Sequence, residues 1–179
     1  ETLLDDFIDA YQEVRAADRA AQLRRLAQVP GVYVPSLYQV HYSANDGPVA
    51  AIEPHPEAPM PVQKQTYRGN VLSASTVVTE LAAWENIYMV EVVRSCPEMC
   101  RFCLASYLTL PFRTASVEAS LIPAIERGLA VTNRLGLLGA SVTQHPEFDA
   151  LLDYLNQPKF DHVRLSLASV RTNTVNQKL

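Results

Sequence analysis

Between residues 87 and 170 the chain alternates short apolar runs with amphipathic stretches of helix length, and that alternation leaves few folds open. Ile87–Val93 is mostly apolar and of strand length. Ser116–Leu135 reads as a helix with Ser116 as its N-cap and Gly136 just past its end. Pro123 inside that stretch predicts a kink or a later start. Leu137–Val142 is a second strand-like run. His145-Pro146 opens another helix, with Pro146 at its first position and Phe148, Leu151, Leu152 and Leu155 as its buried stripe. Val163–Val170 is the third strand. The order strand, helix, strand, helix, strand predicts parallel neighbours joined by right-handed crossovers. Three parallel strands leave an edge that wants covering. The expectation is therefore an α/β fragment whose further strands follow in a longer protein, and which alone is prone to self-association.

The first half has a different character. Residues 2–28 read as one long helix, with Leu4, Ile8, Tyr11, Val14, Ala21 and Leu26 near a 3.6-residue stripe. Its acidic residues come first and its arginines last, which suits the helix dipole, and Val29-Pro30-Gly31 ends it. Val32–Val34, Leu37–Tyr42 and Val62–Tyr67 have strand composition, and Asn45-Asp46-Gly47-Pro48 is a turn signal. Pro54, Pro56, Pro59 and Pro61 leave only edge-strand or loop conformations. The predicted organisation is a helical linker over 1–30, a β- and turn-rich connector over 31–85, and an α/β unit over 86–179.

Hydrophobic residues make up 48% of the 179, the content of a globular chain. The net charge of −4 gives no broad attraction to nucleic acid or anionic lipid. No apolar run reaches membrane-spanning length, and the acidic, amphipathic start does not resemble a secretory signal. The three cysteines, Cys96, Cys100 and Cys103, lie within eight residues. A disulfide framework uses an even number spread along the chain, so clustered thiols predict ligands in a reducing cytoplasm.

The spacing is C-x3-C-x2-C: Cys96-Pro97-Glu98-Met99-Cys100-Arg101-Phe102-Cys103, directly after the first strand. Three thiolates on one tight loop can each bind one iron of a four-iron cube, which leaves the fourth iron open to a small molecule. Zinc held by the three cysteines with His145 or His162 is the alternative, although paired C-x2-C knuckles are absent. A set of merely structural thiols is the remaining one.

The motif resembles the C-x3-C-x-aromatic-C signature of the radical S-adenosylmethionine (SAM) superfamily, with Phe102 in the aromatic position. The wider stretch Glu91-Val92-Val93-Arg94-Ser95-Cys96, Phe102–Tyr107 and Pro111-Phe112-Arg113 resembles the subset of that superfamily often fused to a cobalamin-binding domain. The likeness covers about residues 87–175, and residues 1–80 more weakly resemble a connector between the two domains. It implies a partial six-stranded (β/α) barrel, of which only the first three β/α units are present here. It also implies a [4Fe-4S] cluster on Cys96, Cys100 and Cys103, with SAM chelated to the unique iron. Reduction would cleave SAM to methionine and a 5′-deoxyadenosyl radical that attacks an unidentified substrate, for methyl or methylthio transfer or another rearrangement. The electron would come from a partner such as ferredoxin or flavodoxin. This chain has no cobalamin-binding histidine motif, so cobalamin would enter only through a domain outside it.

The resemblance also assigns SAM contacts. Gly139-Ala140-Ser141 takes the place of the family's Gly-Gly-Glu-like strand end that meets the SAM amino group, with Ser141 replacing the acidic residue. Tight packing would equally explain Gly139. Arg171 suits the SAM carboxylate or is an ordinary solvated arginine. Phe102 would lie beside the adenine. Arg94, Arg101 and Arg113 would offset negative charge around the loop or be surface charge, and Glu91 would be a buried carboxylate or face substrate. His41 and His55 read as solvent-facing. The competing function is a zinc-binding or electron-transfer module without SAM chemistry.

Overall fold

The computed structural model describes residues 2–179. The chain divides into two units, one ending at Tyr67 and the other running Arg68–Leu179. The last part of the expected connector, residues 68–85, therefore packs with the second unit.

In the first unit the expected single helix is two: α1, Thr2–Val14, and α2, Arg19–Ala27. Asp18 makes the break. Its carboxylate accepts from the Ala21 N–H at 2.9 Å, satisfying a donor at the start of α2 that a continuous helix would have satisfied itself. The chain then folds back, and Arg25 meets Glu13 at 2.8 Å. This changes the buried stripe. Ala10, Leu26 and Val29 pack with Leu3, Phe7 and Val32, whereas Leu4, Ile8 and Tyr11 are exposed. The Asn45–Pro48 turn joins β1, Tyr38–Tyr42, to β2, Val49–Pro54, as an antiparallel hairpin. Val32–Val34 and Val62–Tyr67 form no strand. Every residue of β2 is exposed.

The second unit is mixed α/β. Its strand β3, Tyr88–Glu91, is followed by the short β4, Val93–Arg94, helix α3, Leu104–Thr109, and β5, Arg113–Thr114, which pairs antiparallel with β4. Next come a single π turn over Val117–Leu121, helix α4, Ile122–Leu129, and β6, Arg134–Leu138. Helix α5, Phe148–Leu155, and β7, Arg164–Leu167, complete it. The sheet order is β3-β6-β7, all parallel. Among the described residues the sheet stays open. On the far side of β3 the segment 73–75 runs antiparallel: the Ser75 N–H donates to Met89 O and the Glu91 N–H to Ser73 O, each at 2.8 Å.

Ser116 caps as expected, its Oγ accepting from the Ala119 N–H at 3.1 Å. Pro123 is accommodated because α4 begins at Ile122 and places it in the first turn, where its missing N–H costs nothing. The helix then ends at Leu129, six residues before the expected boundary. Gly136 sits within β6 opposite Met89 instead of capping. The second strand is correspondingly Arg134–Leu138, 139–141 is a turn, and Val142 opens a 3-10 turn, Val142–Gln144. One sheet face buries Tyr88, Val90, Leu135 and Leu137 against Leu121, Ile125, Leu151 and Leu152 from the helical side. Gly128 lets α4 approach the sheet, since a Cβ there would lie 2.3 Å from Cδ1 of Tyr88. Gly128→Ala gains about 1 kcal/mol of helix propensity. It meets overpacking of about 1–3 kcal/mol, so the urea midpoint should fall with the slope unchanged. A raised midpoint would contradict this packing. Among the described residues no helix is long and apolar enough to cross a membrane.

Candidate functional site

Parallel pairing brings the C-terminal ends of β3, β6 and β7 to one side of the sheet, so the segments after them meet. Backbone hydrogen bonds continue past the strands: Val92 N–H to Leu138 O, Ala168 N–H to Leu137 O and Val142 N–H to Ser169 O, at 2.8–3.0 Å. The cysteine loop leaves β4 at this meeting point.

The loop is tightly turned. Ser95 and Met99 hold φ of +71° and +48°, a region that costs a non-glycine residue. It is fastened at both turns. Buried Ser95 donates from Oγ to Ser106 O at 3.0 Å, and Tyr107 donates from its hydroxyl to Met99 O at 2.8 Å. Cys103 donates its N–H to Cys100 O at 3.0 Å and stands at the N-cap of α3. The Ser106 backbone N–H and then its hydroxyl hold the Cys103 thiol below its ordinary range. The three cysteines are free thiols and half-buried.

One cavity of about 230 Å³ is lined by Cys96, Cys100, Cys103, Phe102, Ala140, Ser141 and Arg171. Six of the expected ligand and SAM residues besides Phe102 thus share a wall, and they come from all three strand ends. Phe102 stands at the mouth, 92% exposed. Gly139, expected beside the SAM amino group, is not among the residues that line this cavity. A Cβ on it would be 2.4 Å from Val93 Cγ2 and 2.8 Å from Val93 O, so tight packing against β4 accounts for this glycine.

Sequence reasoning missed a polar chain that crosses the site. The Cys96 thiol faces Gln144 Oε1 at 3.8 Å, Gln144 Nε2 donates to Glu98 Oε1 at 2.6 Å, and Glu98 Oε2 pairs with Arg171 Nη1 at 2.8 Å. Arg171 is set further by Asn173 Oδ1 at 2.8 Å and by its own N–H on Thr143 Oγ1 at 3.2 Å. The position of Glu98 inside the C-x3-C segment was the available signal.

The remaining charges resolve individually. Arg94 grips Glu91 with Nε and Nη2, at 2.6 and 2.5 Å, and also reaches Ser73 Oγ. Arg113 donates to Thr109 O and Pro111 O, closing the end of α3. Arg101 is exposed. In the first unit His41 faces Glu53 Oε2 at 3.2 Å, and exposed His55 accepts at Nδ1 from the Glu57 N–H. The Glu91–Arg94 pair lines a second cavity of about 430 Å³ that shares Ala140 with the cysteine cavity. Burial pushes the Glu91 carboxyl up, but hydrogen bonds from Arg94 and the Ser73 N–H outweigh it and hold the group below the usual range. A depressed folded value means that the pair's stabilisation is complete above the unfolded carboxylate range and is lost as pH falls through the folded value. Glu91→Gln should therefore be less stable at neutral pH and lack that acid-side loss. Superimposable acid limbs for the two proteins would contradict the pairing.

His145 is buried, with Nδ1 accepting from the Glu147 N–H at 3.0 Å and Nε2 on Ala115 O at 2.7 Å. Both ring nitrogens are in use. Helix α5 starts at Phe148 with Glu147 at its N-cap, so His145 and Pro146 precede the helix instead of opening it, and Pro146 is not at its first position. His162 precedes β7, at the opposite end of the sheet from the cysteines. Among the described residues no three His, Cys, Asp or Glu side chains converge as ligands of one ion. A cube asks for a different arrangement, one thiolate per iron around a shared space, and Cys96, Cys100 and Cys103 all line the one cavity.

A stretch of 103 residues, 56% of the chain, is 30% identical to an uncharacterized protein of Methanocaldococcus jannaschii. The match spans 22% of that protein's length, so the chain corresponds to about a fifth of this relative. No protein-family model and no solved structure matches the chain.

Proposed function

We propose that this chain is the cluster-binding half of a radical SAM enzyme. The observation that carries the reading is the shared cavity: three free thiols, Ser141 and Arg171 meet at the C-terminal ends of three parallel strands. Cys96, Cys100 and Cys103 would hold a [4Fe-4S] cluster, one iron each. Arg171 would take the SAM carboxylate, Ala140 and Ser141 would approach the amino group, and Phe102 would cover the adenine at the mouth. With SAM bound, the cluster supplies one-electron reductive cleavage of a SAM carbon–sulfur bond. The protein's part is to seat the thiolates, orient the ligand and keep water from it.

In this reading β3, β6 and β7 are the first three strands of a partial (β/α) barrel, and the face carrying Glu91, Gly136 and Ser166 turns inward to the substrate side. Ferredoxin or flavodoxin would deliver the electron, and cobalamin would act only from a domain outside this chain. Methyl or methylthio transfer to an unidentified substrate is the class of reaction proposed. Anaerobic reconstitution with iron and sulfide tests the assignment. About four irons and four sulfides per chain, with a brown chromophore, are expected. A colourless protein that takes one zinc, or a cluster indifferent to SAM, would favour the zinc-binding or electron-transfer module instead.

A further inference from the structure

The cysteine loop carries its own carboxylate to the guanidinium at the end of β7. Glu98 Oε2 lies 2.8 Å from Arg171 Nη1, with both side chains about two-thirds covered. Gln144 Nε2 holds the other carboxylate oxygen at 2.6 Å, so Glu98 is gripped from the segment after β6 and from the segment after β7. Asn173 takes Arg171 Nε. All three strand ends are joined through this one carboxylate, and the joint runs across the wall of the thiol cavity. Arg171 is thereby already satisfied by a carboxylate of this chain.

We propose that Glu98 and Arg171 form a clasp that fastens the cysteine loop to the end of β7, and that a ligand carboxylate bound at Arg171 takes the place of Glu98. The second half rests on the proposed SAM site; the first does not. A guanidinium presents its donors in a planar fork suited to one carboxylate at a time in bidentate geometry. With Nε on Asn173, the edge left for a bidentate ligand is the Nη1/Nη2 edge, and Glu98 Oε2 already sits on its Nη1. Displacement would release the loop segment between Cys96 and Cys100 from β7 while Gln144 keeps its own contact with Glu98. Occupancy of the anion site and freedom of the cysteine loop are then coupled, each affecting the other by the same factor.

Two readouts on the full chain test this. Glu98→Gln is close to isosteric and keeps the fold's packing, and Arg171→Gln removes the other half. In the cluster-free protein, amide exchange over residues 97–103 should quicken several-fold in both variants, with exchange in β3 and β6 unchanged. In the reconstituted protein, calorimetric affinity for SAM should rise about fivefold in Glu98→Gln, the scale of a partly exposed ion pair. Affinity for 5′-methylthioadenosine, which lacks the carboxylate, should stay level. Unchanged loop exchange in both variants would overturn the clasp even if SAM binds. SAM affinity lowered by Glu98→Gln would overturn displacement, because Glu98 would then be supporting Arg171. Quickened exchange with no SAM binding to any variant would leave the clasp standing and refute the SAM reading.

Discussion

Alanine at Cys96, Cys100 or Cys103 should reduce the iron retained after anaerobic reconstitution from about four per chain to near none. A cube held by two thiolates has two irons open to solvent, and no neighbouring side chain replaces the lost ligand. His145 is committed through both ring nitrogens, and Glu98 is held by Gln144 and Arg171. The three losses should be equal in kind although the environments differ: Cys103 is held by Ser106, Cys96 by Gln144. Serine variants should fare little better, since a hydroxyl is a poor substitute for thiolate toward iron. The native-like urea midpoint of each variant, measured without iron, separates loss of ligand from loss of fold. Stable four-iron clusters in all three variants would refute the ligand assignment.

Gly139→Ala should be among the most damaging single substitutions in the second unit, at about 3 kcal/mol, the combined scale of overpacking and backbone strain. The added Cβ would stand 2.4 Å from Val93 Cγ2 and 2.8 Å from the Val93 carbonyl oxygen, and the latter belongs to backbone paired with β5. Neither can yield as the end of a flexible side chain would, so the strain is shared between overpacking and a φ of +156° that suits only glycine. The consequence reaches the site, because Ala140 and Ser141 follow directly and line the thiol cavity. Chemical denaturation should show a lower midpoint, and thiol alkylation of the cluster-free chain should show faster labelling of Cys96. A neutral Gly139→Ala would mean that β4 and the end of β6 are not in the close contact described.

What the sequence discloses here depends on how local the cause is. The three parallel strands follow from alternating apolar runs, and the cysteine loop follows from spacing alone. The strand limits are harder. The run Leu135–Gly139 stays apolar or small across the end of β6, so composition does not mark where pairing stops, whereas the contact with Val93 does. Gly136 resembles a helix C-cap in one dimension but faces Met89 across the sheet. Asp18 is an N-cap residue type, but the apolar spacing from Leu4 to Leu26 runs across it without interruption and does not mark the break. Within the site, Cys96, Cys100 and Cys103 are neighbours in sequence and legible. Gln144 and Glu98 are 46 residues apart, and no local pattern announces a contact of that kind. Arg171 is legible by its chemistry after the third apolar run, whereas its pairing with Glu98 depends on the fold bringing the strand ends together.

The most direct measurement is electron paramagnetic resonance of the dithionite-reduced, reconstituted chain with and without SAM. A radical SAM site predicts a [4Fe-4S]⁺ signal whose g values shift when SAM is added, because SAM would bind at the iron that no cysteine holds. A four-iron signal identical in both samples, at SAM concentrations shown by calorimetry to saturate the protein, would contradict the account.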